Sequence, residues 1–165
     1  MFLSVFDMFK VGIGPSSSHT IGPMVAAARF LDHLRAQPFS VAGLRVSLHG
    51  SLAFTGVGHA TDRATILGLA GFRADDYDRA RADAEMNRIM VDGWVEPDGL
   101  ARLTFRPKDH LEFDYGPALA GHANGMILKG CDAQGDVVTQ VTYYSIGGGF
   151  VLTAQELAAG ADKED

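Results

Sequence analysis

An α+β domain is expected, in which an antiparallel or mixed sheet packs against two or three helices. Two observations predict it: helical periodicity dominates the first half of the chain, and the clearest β-hairpin lies in the second. At 165 residues and 47% hydrophobic content, the chain can bury one respectable core but not two large domains.

Residues 4–10 carry a Ser with an Asp three residues later, close to a capping pattern, so one or two helical turns or a short strand are expected. Ile21, Met24, Val25, Ala28, Leu31 and Leu34 recur at three and four residues, which predicts a helix that Pro38 stops. Leu44, Val46 and Leu48 alternate with Arg45, Ser47 and His49 in a half-buried strand ended by Gly50 and Ser51. Over residues 55–71 small and apolar residues at helical spacing predict a helix that begins near Gly58 and packs closely on the sheet. Ala74-Asp-Asp-Tyr-Asp78 opens the acidic first turn of a third helix, which runs to about Asp92 with Gly93 as its stop. Leu103 and Phe105 alternate with Arg102, Thr104 and Arg106 in a second strand, and residues 111–115 form a short third one. Residues 122–131 and 137–145 are the arms of the hairpin, joined by the turn Asp132-Ala-Gln-Gly-Asp136. Gly147, Gly148 and Gly149 then interrupt the run before Phe150, and residues 155–165 read as an Ala-rich, charged tail.

Composition removes several classes of function. The formal charge is −6 and no two basic residues are adjacent, which argues against a nucleic-acid footprint. No apolar stretch approaches the roughly 20 residues of a membrane span, and the start contains Asp7 and lacks the basic residues of a signal peptide, so a cytoplasmic protein with no membrane partner is expected. The single Cys131 forms no internal disulfide and cannot by itself hold an iron-sulfur cluster. No pair of histidines or carboxylates has a metal-binding spacing, so no metal is assigned to this chain.

The most distinctive stretch is Gly12-Ile-Gly-Pro-Ser-Ser-Ser-His-Thr-Ile-Gly-Pro23. Glycines and prolines shape the backbone on both sides of Ser16, Ser17, Ser18, His19 and Thr20 just before a helix. A helix start offers unpaired amides and the positive end of the macrodipole, which favour a carboxylate or phosphate. Plain N-terminal capping by Ser18 or Thr20 is the simpler alternative, but one cap needs one hydroxyl.

The opening from Ser4 to Met24, followed in order by Gly58-His59-Ala60-Thr61-Asp62, His122-Ala123-Asn124-Gly125-Met126 and Ser145-Ile-Gly-Gly-Gly149, resembles the bacterial iron-sulfur L-serine dehydratases over nearly the whole chain. That family usually has Gly where this chain has Ala60, and Pro where it has Ala123. The resemblance is to the beta domain alone, here residues 1–153, with residues 154–165 as a linker or tail toward a catalytic domain outside this chain. It implies a lyase of amino-acid catabolism and gluconeogenesis that converts L-serine to pyruvate and ammonia once paired with the catalytic (alpha) domain, the isolated chain being inactive. It also implies a homodimer, and a [4Fe-4S] cluster held by the catalytic domain and not by this chain.

Carried onto these residues, the resemblance implies that a base takes the α-proton of L-serine, and His59 is assigned nearest that proton. On spacing alone His59, with Asp62 three residues on, could equally be a capping residue. His19 is assigned to the site with Ser16, Ser17, Ser18 and Thr20 as binders of the substrate carboxylate, although the exchange of roles between the two imidazoles stays open. Ser145, Gly147 and Gly148 either let the backbone approach a ligand or form a bulge or hinge. His122 and Asn124 read as a turn on spacing, whereas a similar His-x-Asn motif in the allosteric substrate-binding domain of phosphoglycerate dehydrogenases, whose fold is expected here, makes them candidates for a regulatory serine site. His33, His49 and His110 are expected at the surface. The rival readings are a stand-alone small-acid-binding regulatory module and a purely structural oligomerisation domain. A phosphate-binding enzyme is a distant third, because the loop lacks the Lys and the glycine spacing of a P-loop.

Overall fold

The computed structural model describes residues 17–55 and 60–163. The expected element over residues 4–10 lies outside them, as do Ser16, Gly58 and His59. A wide π-helical turn, Ser17–Ile21, leads directly into α1 (Gly22–Arg35), with Pro23 in the first turn where its missing amide proton costs nothing. The buried stripe of α1 is Met24, Ala27, Phe30, Leu31 and Leu34, so Phe30, fully buried, belongs to the core while Ala28 sits at its margin.

The strand β1 (Gly43–Leu48) follows, then a single turn α2 (Ser51–Phe54) and α3 (Thr61–Leu69). α3 begins three residues later than expected from spacing, because Ala60 takes the left-handed conformation and cannot continue a helix backwards. α3 lies against α1 at very short range: a Cβ on Gly68 would stand 2.7 Å from Ala27 Cβ and 2.9 Å from the Met24 carbonyl. The third long helix, α4 (Arg79–Asp92), is also shorter than expected. The acidic stretch Ala74–Asp76 makes one 3-10 turn, and Asp78 then caps α4 by accepting from Arg81 N at 3.0 Å. Gly93, at φ 75°, ends α4 as expected.

Two short strands, β2 (Trp94–Val95) and β3 (Leu103–Thr104), come next, then the turn α5 (Pro107–His110) and β4 (Leu111–Phe113). β3 and β4 both run parallel to β1 and share its edge, one beside Gly43 and the other beside Val46 to Leu48. Pro107 divides them, since it has no proton to give the ladder. The hairpin of β5 (Gly125–Cys131) and β6 (Val137–Gly147) forms as expected, with Asp132 Oδ1 accepting from Gln134 N and Asp136 N across the turn. β7 (Phe150–Thr153) completes a mixed sheet of order β2-β3-β1-β5-β6-β7, with β4 also on β1. One face, through Leu44, Val46, Leu48, Met126, Leu128 and Tyr143, is buried in the same core as α1, α3 and α4.

The segment expected to fade into a tail is instead helical, α6 (Ala154–Lys163). Its start is a capping box: Glu156 N donates to Thr153 Oγ1 at 3.0 Å and Thr153 N donates to Glu156 Oε1 at 3.1 Å. Arg29 of α1 holds it through a 2.5 Å bond to Glu156 and holds β7 through a 2.8 Å bond to the Val151 carbonyl. The Arg29 hydrogen bond lowers the pKa of the Glu156 carboxyl. A lowered folded-state value stabilises above the unfolded pKa and is lost as pH falls through the folded one. Hydrogen exchange in α6 should therefore quicken on acidification through the carboxylate range, and Glu156→Gln should abolish that dependence.

Candidate functional site

Leu48 at the end of β1 faces Met126, and Gly125 faces Tyr144. The residues just beyond β1, just before β5 and at Ser145 of β6 therefore meet at one end of the sheet. Gly50 makes the junction, with φ 57° and ψ −131°; a Cβ there would collide with the Ala123 carbonyl. Ser51 N donates to that carbonyl at 2.8 Å, and His49 N donates to the Gly125 carbonyl at 2.9 Å.

Ser51 is thereby presented to the serine-rich turn. His19 Nε2 lies 2.9 Å from Ser51 Oγ, and His19 Nδ1 lies 2.8 Å from Ser18 Oγ. A neutral imidazole has one donor and one acceptor nitrogen, so the ring donates to one serine and accepts from the other. The imidazole plane is thus fixed from both sides. Thr20 is fully buried, and the turn Ser17–Ile21 packs against both α3 and β6.

Those two elements carry the buried hydroxyls without partners. Thr61 Oγ1, at the start of α3, and Ser145 Oγ, on β6, have no hydrogen bond among the described residues, and their residues are 0% and 1% exposed. A buried polar group left unmet costs about 1–3 kcal/mol, so such positions need an explanation, and a ligand supplies one. The sequence reading assigns neither Thr61 nor Ser51 to the site. Thr61 sits inside the Gly58-His59-Ala60-Thr61-Asp62 motif, which was the available signal, whereas Ser51 looked like the end of a strand.

His122 and Asn124 reach the same end of the sheet. Asn124 N donates to His122 Nδ1 at 3.0 Å, the Asn124 side chain donates to the Ser145 carbonyl at 3.2 Å, and Ser145 N donates to the Asn124 carbonyl at 2.9 Å. Gly147, Gly148 and Gly149 take φ of 98°, 64° and 79° as the turn between β6 and β7, which accounts for three glycines without a ligand. Among the described residues no three His, Cys, Asp or Glu side chains gather as a metal site needs, and Cys131 is buried alone, so these residues do not fit an iron-sulfur cluster.

One surface expectation fails. His49 is 7% exposed, because Ser47 Oγ lies 2.7 Å from its Nε2 and Asp114 Oδ2 3.6 Å from its Nδ1. His33 is part-buried, its ring stacked on Phe30, and His110 is likewise part-buried beside Phe105.

Ala60, just before Thr61, is the one non-glycine residue with positive φ among the described residues, at 58°. The left-handed conformation costs a residue with a Cβ about 1–2 kcal/mol. Ala60→Gly should raise the melting temperature by about 2–4 °C in a thermal denaturation scan.

A family model described as serine dehydratase beta chain matches residues 4–156. The chain is 46% identical over 165 residues to an L-serine dehydratase of Streptomyces coelicolor, covering 99% of this chain and 36% of that protein. It is 42% identical over 154 residues to an L-serine dehydratase of Helicobacter pylori, covering 93% and 34%, and 39% identical over 170 residues to L-serine dehydratase 1 of Escherichia coli, covering 98% and 36%. The chain thus spans about a third of the length of these relatives. With the match running through the serine-rich turn, the hairpin and the whole sheet between them, the chain belongs to the serine dehydratase beta chain family.

Proposed function

We propose that this chain contributes one wall of the active site of an L-serine dehydratase, which deaminates L-serine to pyruvate and ammonia together with a catalytic portion carrying an iron-sulfur cluster. The observation that carries the reading is His19, fixed between Ser18 and Ser51 in a turn packed against elements that bear two buried, unpartnered hydroxyls, Thr61 and Ser145. The names of the relatives supply the substrate.

In this reading the hydroxyls and amides around Ser16, Ser17, Ser18 and Thr20 hold the substrate carboxylate, and His19 orients it. His59 takes the α-proton as general base. Loss of that proton and of the β-hydroxyl leaves an enamine, whose imine tautomer hydrolyses to pyruvate and ammonia. His19 is assigned binding because both of its nitrogens are already engaged, which suits a fixed donor better than a group that must shuttle protons.

A regulatory role for His122 and Asn124 is the second reading. The bonds they make to each other and to Ser145 leave His122 Nε2 and Asn124 Oδ1 without partners among the described residues. A domain fold shared with the allosteric domain of phosphoglycerate dehydrogenases, a homodimer and a cytoplasmic setting complete the proposal.

The test is anaerobic pyruvate formation from L-serine by the cluster-bearing portion, with and without this chain. Wild type is expected to restore turnover, His59→Ala to lower kcat by about 10²–10⁴-fold, and His19→Ala to act mainly on KM. Full activity of the catalytic portion alone would remove this chain from the active site and leave the regulatory reading.

A further inference from the structure

The face of the sheet away from the helices carries a cleft of about 580 Å³ that the deamination reading does not use. Strand alternation puts Arg45, Ser47 and His49 of the β1 segment on that face, because Leu44, Val46 and Leu48 point into the core. Glu112 on β4 is the register partner of Ser47, and Lys129 on β5 is the register partner of Arg45.

Two like charges directly opposite each other across an antiparallel pair repel. Neither Arg45 nor Lys129 has a carboxylate within ion-pair distance among the described residues, and Glu112 has no cation. Further along the cleft Asp114 Oδ2 stands 3.6 Å from His49 Nδ1, and the Ser47 hydroxyl lies 2.7 Å from His49 Nε2. The Ser47 oxygen keeps its acceptor capacity toward the cleft. His110 at the rim has its pKa lowered, by burial first and then by Arg45, so it adds no positive charge at neutral pH; Asp109 beside it adds a negative one.

The cleft therefore has a cationic row, Arg45 and Lys129, with Asp109 at its rim, and an anionic side, Glu112 and Asp114, where the Ser47 hydroxyl stands beside Glu112. Two residues along a strand span about 7 Å, which separates the Arg45 row from the Ser47 and Glu112 row. A ligand that bridges such ends carries one carboxylate and one ammonium a few ångströms apart. We propose that this cleft binds a small α-amino acid as its zwitterion, the carboxylate on Arg45 and Lys129 and the ammonium on Glu112 and Asp114 beside Ser47.

The proposal does not rest on serine deamination, and the test leaves L-serine out so that the two fail separately. Backbone amide NMR shifts of the chain are followed during titration with glycine, acetate and methylammonium at matched ionic strength. Glycine should shift Arg45, Ser47, Glu112 and Lys129 saturably, with acetate and methylammonium each at least about tenfold weaker. Lys129→Gln and Glu112→Gln should each weaken glycine about tenfold, whereas Asp75→Asn, in a different cleft, should not. Equal responses to acetate and glycine, no saturable response, or glycine shifts that survive both substitutions would overturn the proposal. So would concentration-dependent shifts of these residues without ligand, which would make the face a contact between copies of the chain.

Discussion

Gly50 has no Cβ where the Ala123 carbonyl arrives, and its backbone angles let β1 and β5 stay bonded beyond the end of their regular ladder. The bonds from His49 N to Gly125 and from Ser51 N to Ala123 continue that pairing by two steps. Any side chain at position 50 would push the two segments apart, and with them Ser51, which meets His19 from outside its own turn. The site at this end of the sheet is thus a consequence of one close backbone approach.

From that junction the remaining geometry follows by packing. The serine-rich turn is held at one end by His19 and at the other by α1, whose stripe from Met24 to Leu34 is sealed in the core. α3 comes within contact of α1 because Gly68 meets Ala27, and this closeness brings Thr61 toward the turn. The sheet then divides the chemistry. Its covered face is apolar and supports the turn, while its bare face gathers Arg45, Lys129, Glu112 and Asp114 around a separate cleft.

Much of this was legible in the residues. The stripe of α1, the alternation of β1 and the five-residue turn of the hairpin with its Gly135 are local signals, and each appeared where it was read. The motifs around His19, His122 and Ser145 also proved to share one end of the sheet, though no spacing rule shows that they meet. What escaped depended on backbone conformation or on distant partners. Ala60 moved the start of α3 because a left-handed residue is invisible to periodicity. His49 alternated as a surface residue, yet Ser47 and Asp114 bury it. The α6 helix was announced by Thr153-Ala-Gln-Glu156, a capping box that the Ala-rich composition after it obscured.

The imidazole of His19 is in direct contact with Ser51, 32 positions away in sequence. A double-mutant cycle of His19→Ala and Ser51→Ala, read as unfolding free energies from denaturant titration, tests that contact directly. The predicted result is a coupling energy of about 1 kcal/mol, the typical net worth of a partly buried hydrogen bond between neighbours. Additive effects of the two substitutions, with no coupling beyond about 0.3 kcal/mol, would separate the serine-rich turn from the end of the sheet and contradict the account.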